Sequence, residues 1–244
     1  MPERSRAHLA GLFGRIADDY ERGRPTYPSE AVRWLIGDAQ RVIDLGAGTG
    51  KLTSALVGLV PEVVAVEPQL SMVNQLSRAV AGAHAVCGSA EQIPVRSRWA
   101  DAVVVAQAFH WFDQERALPE IARVLKPSAR LGLIWNVRDE SIDWIAELSR
   151  IGTRDNSAKI RSSLKQLPHF RPFEMKTYQM SQVLDRNTLL AHVRSRSSVA
   201  AVDEVERLRI MKAVVQLCET HPDLAGKARF ELRYETQAFR AQKQ

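Results

Sequence analysis

The chain has 244 residues, 45% hydrophobic and 25% charged, with a formal net charge of +6, which suits one globular domain with a sizeable core. No apolar run of about 18 residues is present to cross a bilayer, and the charge-broken start "MPERSRAHLAGLFGRIADDY" lacks a secretory leader, so the cytoplasm is the expected location. Cys87 and Cys218 stand far apart and form no CxxC pair, which argues against a disulfide framework or metal site, and the scattered basic residues make nucleic acid an unlikely partner.

Residues 8–20 place Leu9, Leu12, Phe13, Ile16 and Tyr20 on one helical face. Gly23, Pro25 and Pro28 break that pattern, and Pro28 or Ser29 opens a second helix facing inward through Val32, Leu35 and Ile36. Short apolar runs then alternate with amphipathic stretches. The runs are "RVIDL", "EVVAVE", "AHAVCG", "ADAVVVAQ" and "ARLGLIWN". Helical patterns lie at about 50–59, 70–80, 89–92 and 113–125, and Asp139 and Asp143 read as helix N-terminal charges. Continuous Val/Ile/Leu runs separated by helices are the signature of buried parallel strands in a right-handed βαβ series. "FEMKTYQMSQVL" (173–184) and "FELRYETQAFRA" (230–241) alternate instead, as half-exposed antiparallel strands do. Residues 186–220 between them are mostly helical, interrupted at "SRSSVA". The expected organisation is one α/β domain over 1–244, with an N-terminal helical segment at 1–28, a core at 40–136 and a helical insertion at 185–225.

The stretch "VIDLGAGTGKLTSALV" carries most of the functional signal. A strand ends in Asp44, and Gly46, Gly48 and Gly50 alternate before a helix. Ligands of open parallel sheets sit at the carboxyl ends of the strands, and a glycine both permits positive φ and removes a Cβ from the approach path. A phosphate-binding P-loop is excluded, because position 45 is Leu where it needs glycine and position 52 is Leu where it needs Ser or Thr. A dinucleotide GxGxxG is excluded because its last glycine would fall on Lys51. The spacing is GxGxG with an acidic residue two positions ahead. "VVAVEP" then ends a second strand in Glu67, where a carboxylate can accept two ribose hydroxyls.

These residues, with "FGRIADDYERGRPTYPSEAV", "QAFHWFD", "RVLKP" and "LIWNVRD", resemble the class I S-adenosylmethionine-dependent methyltransferases. The likeness is to the subgroup with a methyltransferase type 11 domain, related to small-molecule enzymes such as trans-aconitate methyltransferase. It implies a Rossmann-like seven-stranded sheet, mostly parallel with the last strand antiparallel, helices on both faces and an N-terminal helical lid. It implies S-adenosyl-L-methionine as cofactor, with Asp44, Gly46, Ala47, Gly48 and Gly50 against its methionine and ribose parts and Glu67 on the ribose. Pro68 and Gln69 follow it among the cofactor-binding residues, and Met72 would contact the adenine face. Ser89, Ala90 and Glu91 would lie near the adenine edge, although many members carry aspartate where Ser89 stands, and Glu91 reads equally as a helix N-terminal charge. Tyr20 and Arg24 of the lid would approach the amino-acid end. Gln107 would line the same edge.

On the acceptor side, His110 would stand in the wall and serve as general base where the acceptor must lose a proton. Trp111, Asn136 and Arg138 would hold the acceptor, Arg138 through a carboxylate unless Asp139 or Asp143 pairs with it. "RVLKPSAR" departs from the family's Pro-Gly-Gly turn at Ser128 and Ala129. The expected acceptor is a small molecule, methylated at oxygen by a monomer or weak homodimer. An RNA methyltransferase and a non-catalytic cofactor-binding protein are the alternatives.

Overall fold

A computed structural model describes residues 23–151, 164 and 167–244, the side chain of residue 197 excepted. The helical segment at 8–20, and with it Tyr20, lies outside the described residues. Seven strands, β1 (Arg41–Leu45), β2 (Glu62–Glu67), β3 (Ala83–Cys87), β4 (Ala100–Ala106), β5 (Leu125–Arg138), β6 (Glu174–Leu184) and β7 (Phe230–Gln242), form one sheet. Its order is β3-β2-β1-β4-β5-β7-β6. The first five strands pair in parallel, with Asp44 opposite Ala65 and Val104. β7 reverses: Lys243 N donates to Ala129 O (2.8 Å) while Asp139 N donates to Arg233 O (3.0 Å). Opposing numbers run in opposite directions, so β5 and β7 are antiparallel, as the alternating pattern of 230–241 anticipates. Among the described residues no helix is long and apolar enough to cross a membrane.

The chain divides into two compact units. One comprises Thr26–Asn136, Asn156–Tyr178 and Thr236–Gln244, and the other Met1–Pro25, Val137–Asp155 and Gln179–Glu235. In the first, helices α1 (Ser29–Ile36) and α2 (Lys51–Val57) cover one sheet face, where Val32, Leu35, Leu52 and Leu56 meet Val42, Val63, Ala102 and Val104. Strand positions between these, Ile43, Val103, Val105, Leu131 and Leu133, point to the other face and are buried as well. Burial on both sides is why these strands read as unbroken apolar runs. Helix α3 (Leu70–Ala79) follows β2 and α4 (Gln114–Val124) follows β4.

The second unit holds α5 (Asp143–Ile151), α6 (Arg186–Arg194), the short α7 (Ser197–Ala200) and α8 (Glu204–Thr220). Its core joins Trp144, Ile145 and Leu148 to Leu189, Val193, Ile210, Val214 and Leu217, and to Leu232 and Tyr234 of β7. Asp185 and Asp203 start α6 and α8 by accepting from Thr188 N and Glu206 N, both at 2.8 Å. Each such cap is worth about 1 kcal/mol.

Two local expectations need correction. Residues 89–92 form a turn closed by a Ser89–Gln92 bridge, not a short helix, since four residues cannot repay helix nucleation. β5 begins at Leu125, directly after α4, and not at Ala129. Its register with β4 jumps from Ala100–Leu125 to Ala102–Arg130, so residues 126–129 bulge out. Ser128, at φ 60°, makes that bulge in the left-handed region where the related Pro-Gly-Gly turn would use glycine.

Candidate active site

The loop from β1 to α2 is clamped by the backbone of β2: Gly46 N and Ala47 N both donate to Val66 O (2.8 and 3.1 Å). Gly46, Gly48 and Gly50 take φ of 74°, 58° and 95°. For two of them the fold itself explains the missing side chain. A Cβ on Gly46 would stand 2.8 Å from Ala108 Cβ, and one on Gly50 would stand 2.9 Å from Leu76 Cγ and Val80 Cγ2. These glycines let the loop seat against its neighbours. Gly48 donates instead to Glu67, N to Oε2 at 3.0 Å, and Gln69 N donates to Glu67 Oε1 at 3.1 Å. Two backbone amides thus fix the Glu67 carboxylate at the end of β2, and each oxygen retains a lone pair for a further donor.

Asp44 is fully buried. Thr53, one turn into α2, donates to Asp44 Oδ2 at 2.6 Å, and no donor among the described residues reaches Oδ1. Burial raises the Asp44 pKa to about 7, against the Thr53 hydrogen bond and with a smaller push from the Glu67 charge. Burial also raises Glu67, partly offset by the Gly48 and Gln69 amides. A buried carboxylate oxygen with no donor is costly. With the Glu67 carboxylate fixed by two amides, it suits a ligand that carries both hydroxyls and a protonated amine, as S-adenosylmethionine does. The residues present fit that cofactor. Thr53 is not evident from spacing alone; its only signal is a hydroxyl among the apolar inward positions Leu52 and Leu56.

Past Glu67, Pro68 is exposed, Gln69 half-buried and Met72 buried in the helix face. Leu70, at the start of α3, is 62% exposed. After β3, Ser89 belongs to the closed turn and Ala90 is buried. Glu91 Oε1 accepts from Asp113 N at 2.9 Å, so its charge serves the N-terminus of α4. Glu120 and Arg123 of α4 hold the same loop through Ile93 N, Ile93 O and Val95 O, all at 2.9 Å.

Gln107, directly after β4, takes φ 56°. Its N bonds Ile134 O (3.0 Å) and its Nε2 bonds Asn136 O (3.3 Å), so the strained residue is held by the neighbouring strand. Asn136 is itself engaged, donating to Thr26 O (2.8 Å) and accepting from Thr236 Oγ1 (2.6 Å). A 3₁₀ turn, Phe109–Trp111, follows. It buries Phe109, exposes His110 and sets the His110 and Trp111 rings 4.9 Å apart.

Arg24 and Arg138 belong to the second unit. Arg24 Nε and Nη2 bond Ser195 Oγ (3.2 Å) and O (3.1 Å) at the end of α6. Arg138 is buried at the end of β5. Asp139 Oδ1 accepts from Ser141 N at 3.2 Å, and Asp143 Oδ2 lies 3.7 Å from His221 Nε2.

Comparison with known proteins agrees with this geometry. A family model described as a methyltransferase domain matches residues 43–133. An uncharacterized methyltransferase of Mycobacterium tuberculosis is 42% identical over 97% of this chain and 98% of its own length. An uncharacterized methyltransferase-like protein of Schizosaccharomyces pombe is 32% identical over 93% of each chain. Among solved structures, a protein of Anaeromyxobacter dehalogenans provisionally classed as a type II methyltransferase superposes with a TM-score of 0.67. It shares 22% identity and covers 91% of this chain and 97% of its own, a likeness of fold.

Proposed function

Because the chain belongs to the class I S-adenosylmethionine-dependent methyltransferases, we propose that it methylates a small acidic or hydroxylated molecule, at oxygen. The bound cofactor supplies an electrophilic methyl group on a sulfonium, whose departure needs no proton. Glu67 accepts the ribose hydroxyls, and Asp44 Oδ1 takes a donor from the amino-acid end. Pro68, Gln69, Leu70 and Met72 lie on the adenine side, and Ser89 and Ala90 at its edge. Glu91, committed to Asp113 N, supports that loop from behind.

Gln107, His110 and Trp111 form the acceptor wall at the end of β4. The observation that carries this assignment is the left-handed Gln107, locked by two hydrogen bonds to the end of β5. Backbone strain of this kind, about 1–3 kcal/mol, persists where surrounding structure holds it and gathers at working sites. Alignment of the two reactants supplies most of the acceleration available to such a displacement. His110 removes a proton when the acceptor is a hydroxyl, whereas a carboxylate needs no base. The resemblance to trans-aconitate methyltransferase favours an acidic acceptor.

Methyl-labelled cofactor incubated with a metabolite extract and, separately, with total RNA tests the proposal. Label in a small acid, released as methanol by mild alkali, supports carboxyl O-methylation. Label recovered in RNA overturns the small-molecule reading.

A further inference from the structure

The turn that carries His110 and Trp111 is fastened at both ends to loops assigned above to the cofactor. At its start Ala108 lies against the glycine loop, where a Cβ on Gly46 would meet Ala108 Cβ at 2.8 Å. Phe112, which ends the turn, approaches the same point, its ring Cζ 3.5 Å from that position. Inside the turn Trp111 N donates to Ala108 O at 2.9 Å, and the Phe109 and Phe112 rings meet edge to face with centroids 5.9 Å apart. The next residue, Asp113, donates its backbone N–H to Glu91 Oε1 at 2.9 Å. Glu91 directly follows Ser89 and Ala90. Its backbone therefore belongs to the loop at the adenine edge, while its side chain holds the end of the acceptor turn.

The rest of α4 shows what this one bond adds. Two turns along the helix, Glu120 Oε2 accepts from Ile93 N, and Arg123 donates to Ile93 O and Val95 O, each at 2.9 Å. Arg98 N and Trp99 N donate to Arg123 O and Val124 O at 2.9 and 2.8 Å. These bonds dock α4 on residues 93–99 without help from Glu91. Asp113 flanks the first residue of the helix, and its own side chain makes no cap. What Glu91 alone fixes is the junction between turn and helix. A carboxylate on a backbone amide makes a charge-assisted bond, short and directional enough to set a position.

We infer that Glu91 is a positioning residue for methyl transfer, tying the turn that bears His110 and Trp111 to the adenine loop so that acceptor wall and cofactor share one frame. This role rests on the acceptor wall proposed above, while the bond from Asp113 to Glu91 does not. Displacement at a sulfonium draws its acceleration from alignment, and a misplacement of about 1 Å can cost ~100-fold. The backbone also offers a way to delete the bond from its other side. Asp113 has φ −74°, and Phe112 before it has φ −72° and ψ 145°. Proline holds φ near −65° and favours an extended residue ahead of it. Asp113→Pro therefore removes the one N–H without backbone strain and leaves Glu91 in the chain.

Fluorine NMR on the full chain, labelled with 5-fluorotryptophan at its five tryptophans, tests the role. The Trp111 line is the one missing from Trp111→Phe. In the parent saturated with S-adenosylhomocysteine, Trp111 should give a single line. Glu91→Ala and Asp113→Pro should each split or broaden it and leave the other four lines in place, and the double variant should add nothing to either. Glu91→Gln keeps an oxygen for the amide and should restore the single line. Affinity for S-adenosylhomocysteine should change by less than about 3-fold throughout. Transfer of labelled methyl to the metabolite extract should slow by roughly 10- to 100-fold in Glu91→Ala and Asp113→Pro. An undisturbed Trp111 line in Glu91→Ala, no rescue by Glu91→Gln, or a cofactor affinity that falls as far as the transfer rate overturns the role of Glu91. A disturbed line with unslowed transfer overturns it as well, and there the fault lies with the acceptor wall proposed above.

Discussion

Thr53 donates a 2.6 Å hydrogen bond to Asp44 where neither side chain touches solvent. The folded protein therefore binds the Asp44 proton more tightly than the unfolded chain does, with a pKa of about 7 in place of 3.8. Below pH 4 both states are protonated and the carboxyl costs nothing extra. As pH rises from 4 to 7 the unfolded chain gives up its proton first, and stability falls by roughly 4 kcal/mol in total. Above pH 7 the loss levels off. Asp44→Asn should remove this slope, so its denaturant-melt stability relative to the parent rises between pH 4 and 7. Parallel profiles for the two proteins would contradict the assignment.

The proposed role of Asp44 adds a linkage to cofactor binding. A cationic amine brought to Oδ1 favours the ionised carboxylate, so S-adenosylmethionine binding near pH 6 should release close to one proton. Calorimetry in two buffers of different ionisation enthalpy measures that proton directly. Thr53→Val, which removes the hydroxyl that favours ionisation, should weaken binding at pH 6 more than at pH 8.

Glu67 is held by two amides, so its loss strands both. Glu67→Ala should weaken S-adenosylmethionine binding by about 1–3 kcal/mol through the ribose, and loosen Gly48 as well. Glu67→Gln keeps an acceptor oxygen and should lose less. Equal losses in the two variants would mean that the charge matters and the hydrogen-bond geometry does not.

Ser128 holds a left-handed φ of 60° in an exposed bulge. Ser128→Gly should raise stability by about 1 kcal/mol by removing the Cβ strain, at no cost to activity. Gly50→Ala is the opposite case, with φ at 95° and its Cβ directed at Leu76 and Val80. It should lower the melting temperature even with no cofactor present.

On the acceptor side, Trp111→Ala should raise the acceptor KM and leave cofactor affinity unchanged. His110→Ala should lower kcat only for an acceptor that must lose a proton. Steady-state kinetics with the acceptor from the labelling screen distinguish these outcomes, and wild-type behaviour in both variants would refute the assignment.

The parallel half of the sheet was legible because strands buried on both faces write continuous apolar runs, and because Asp44, Gly48 and Glu67 stand at fixed steps from strand ends. What escaped depends on contacts distant in the chain. The glycines looked like room for a ligand, yet Gly46 and Gly50 answer to Ala108, Leu76 and Val80. Glu91 reads equally as an adenine neighbour or a helix N-terminal charge, and the helix it serves follows Asp113, 22 residues on. The tautomer of His192 is set by Gly23, 169 residues earlier. No local pattern encodes such pairings.

The place of β7 has a consequence for how the chain is made. It lies between β5 and β6, although it is the last of the seven to be synthesised. While residues 230–242 are still to emerge, β5 presents an unpaired edge and β6 has no sheet neighbour. β1 to β4 can already close among themselves, through parallel pairings nearer in the chain. Nascent chains should thus pass through a stage in which the Asp44 loop is formed while an open strand edge invites misassembly, and slow translation or chaperone shielding before Phe230 would matter more than any single residue of the site.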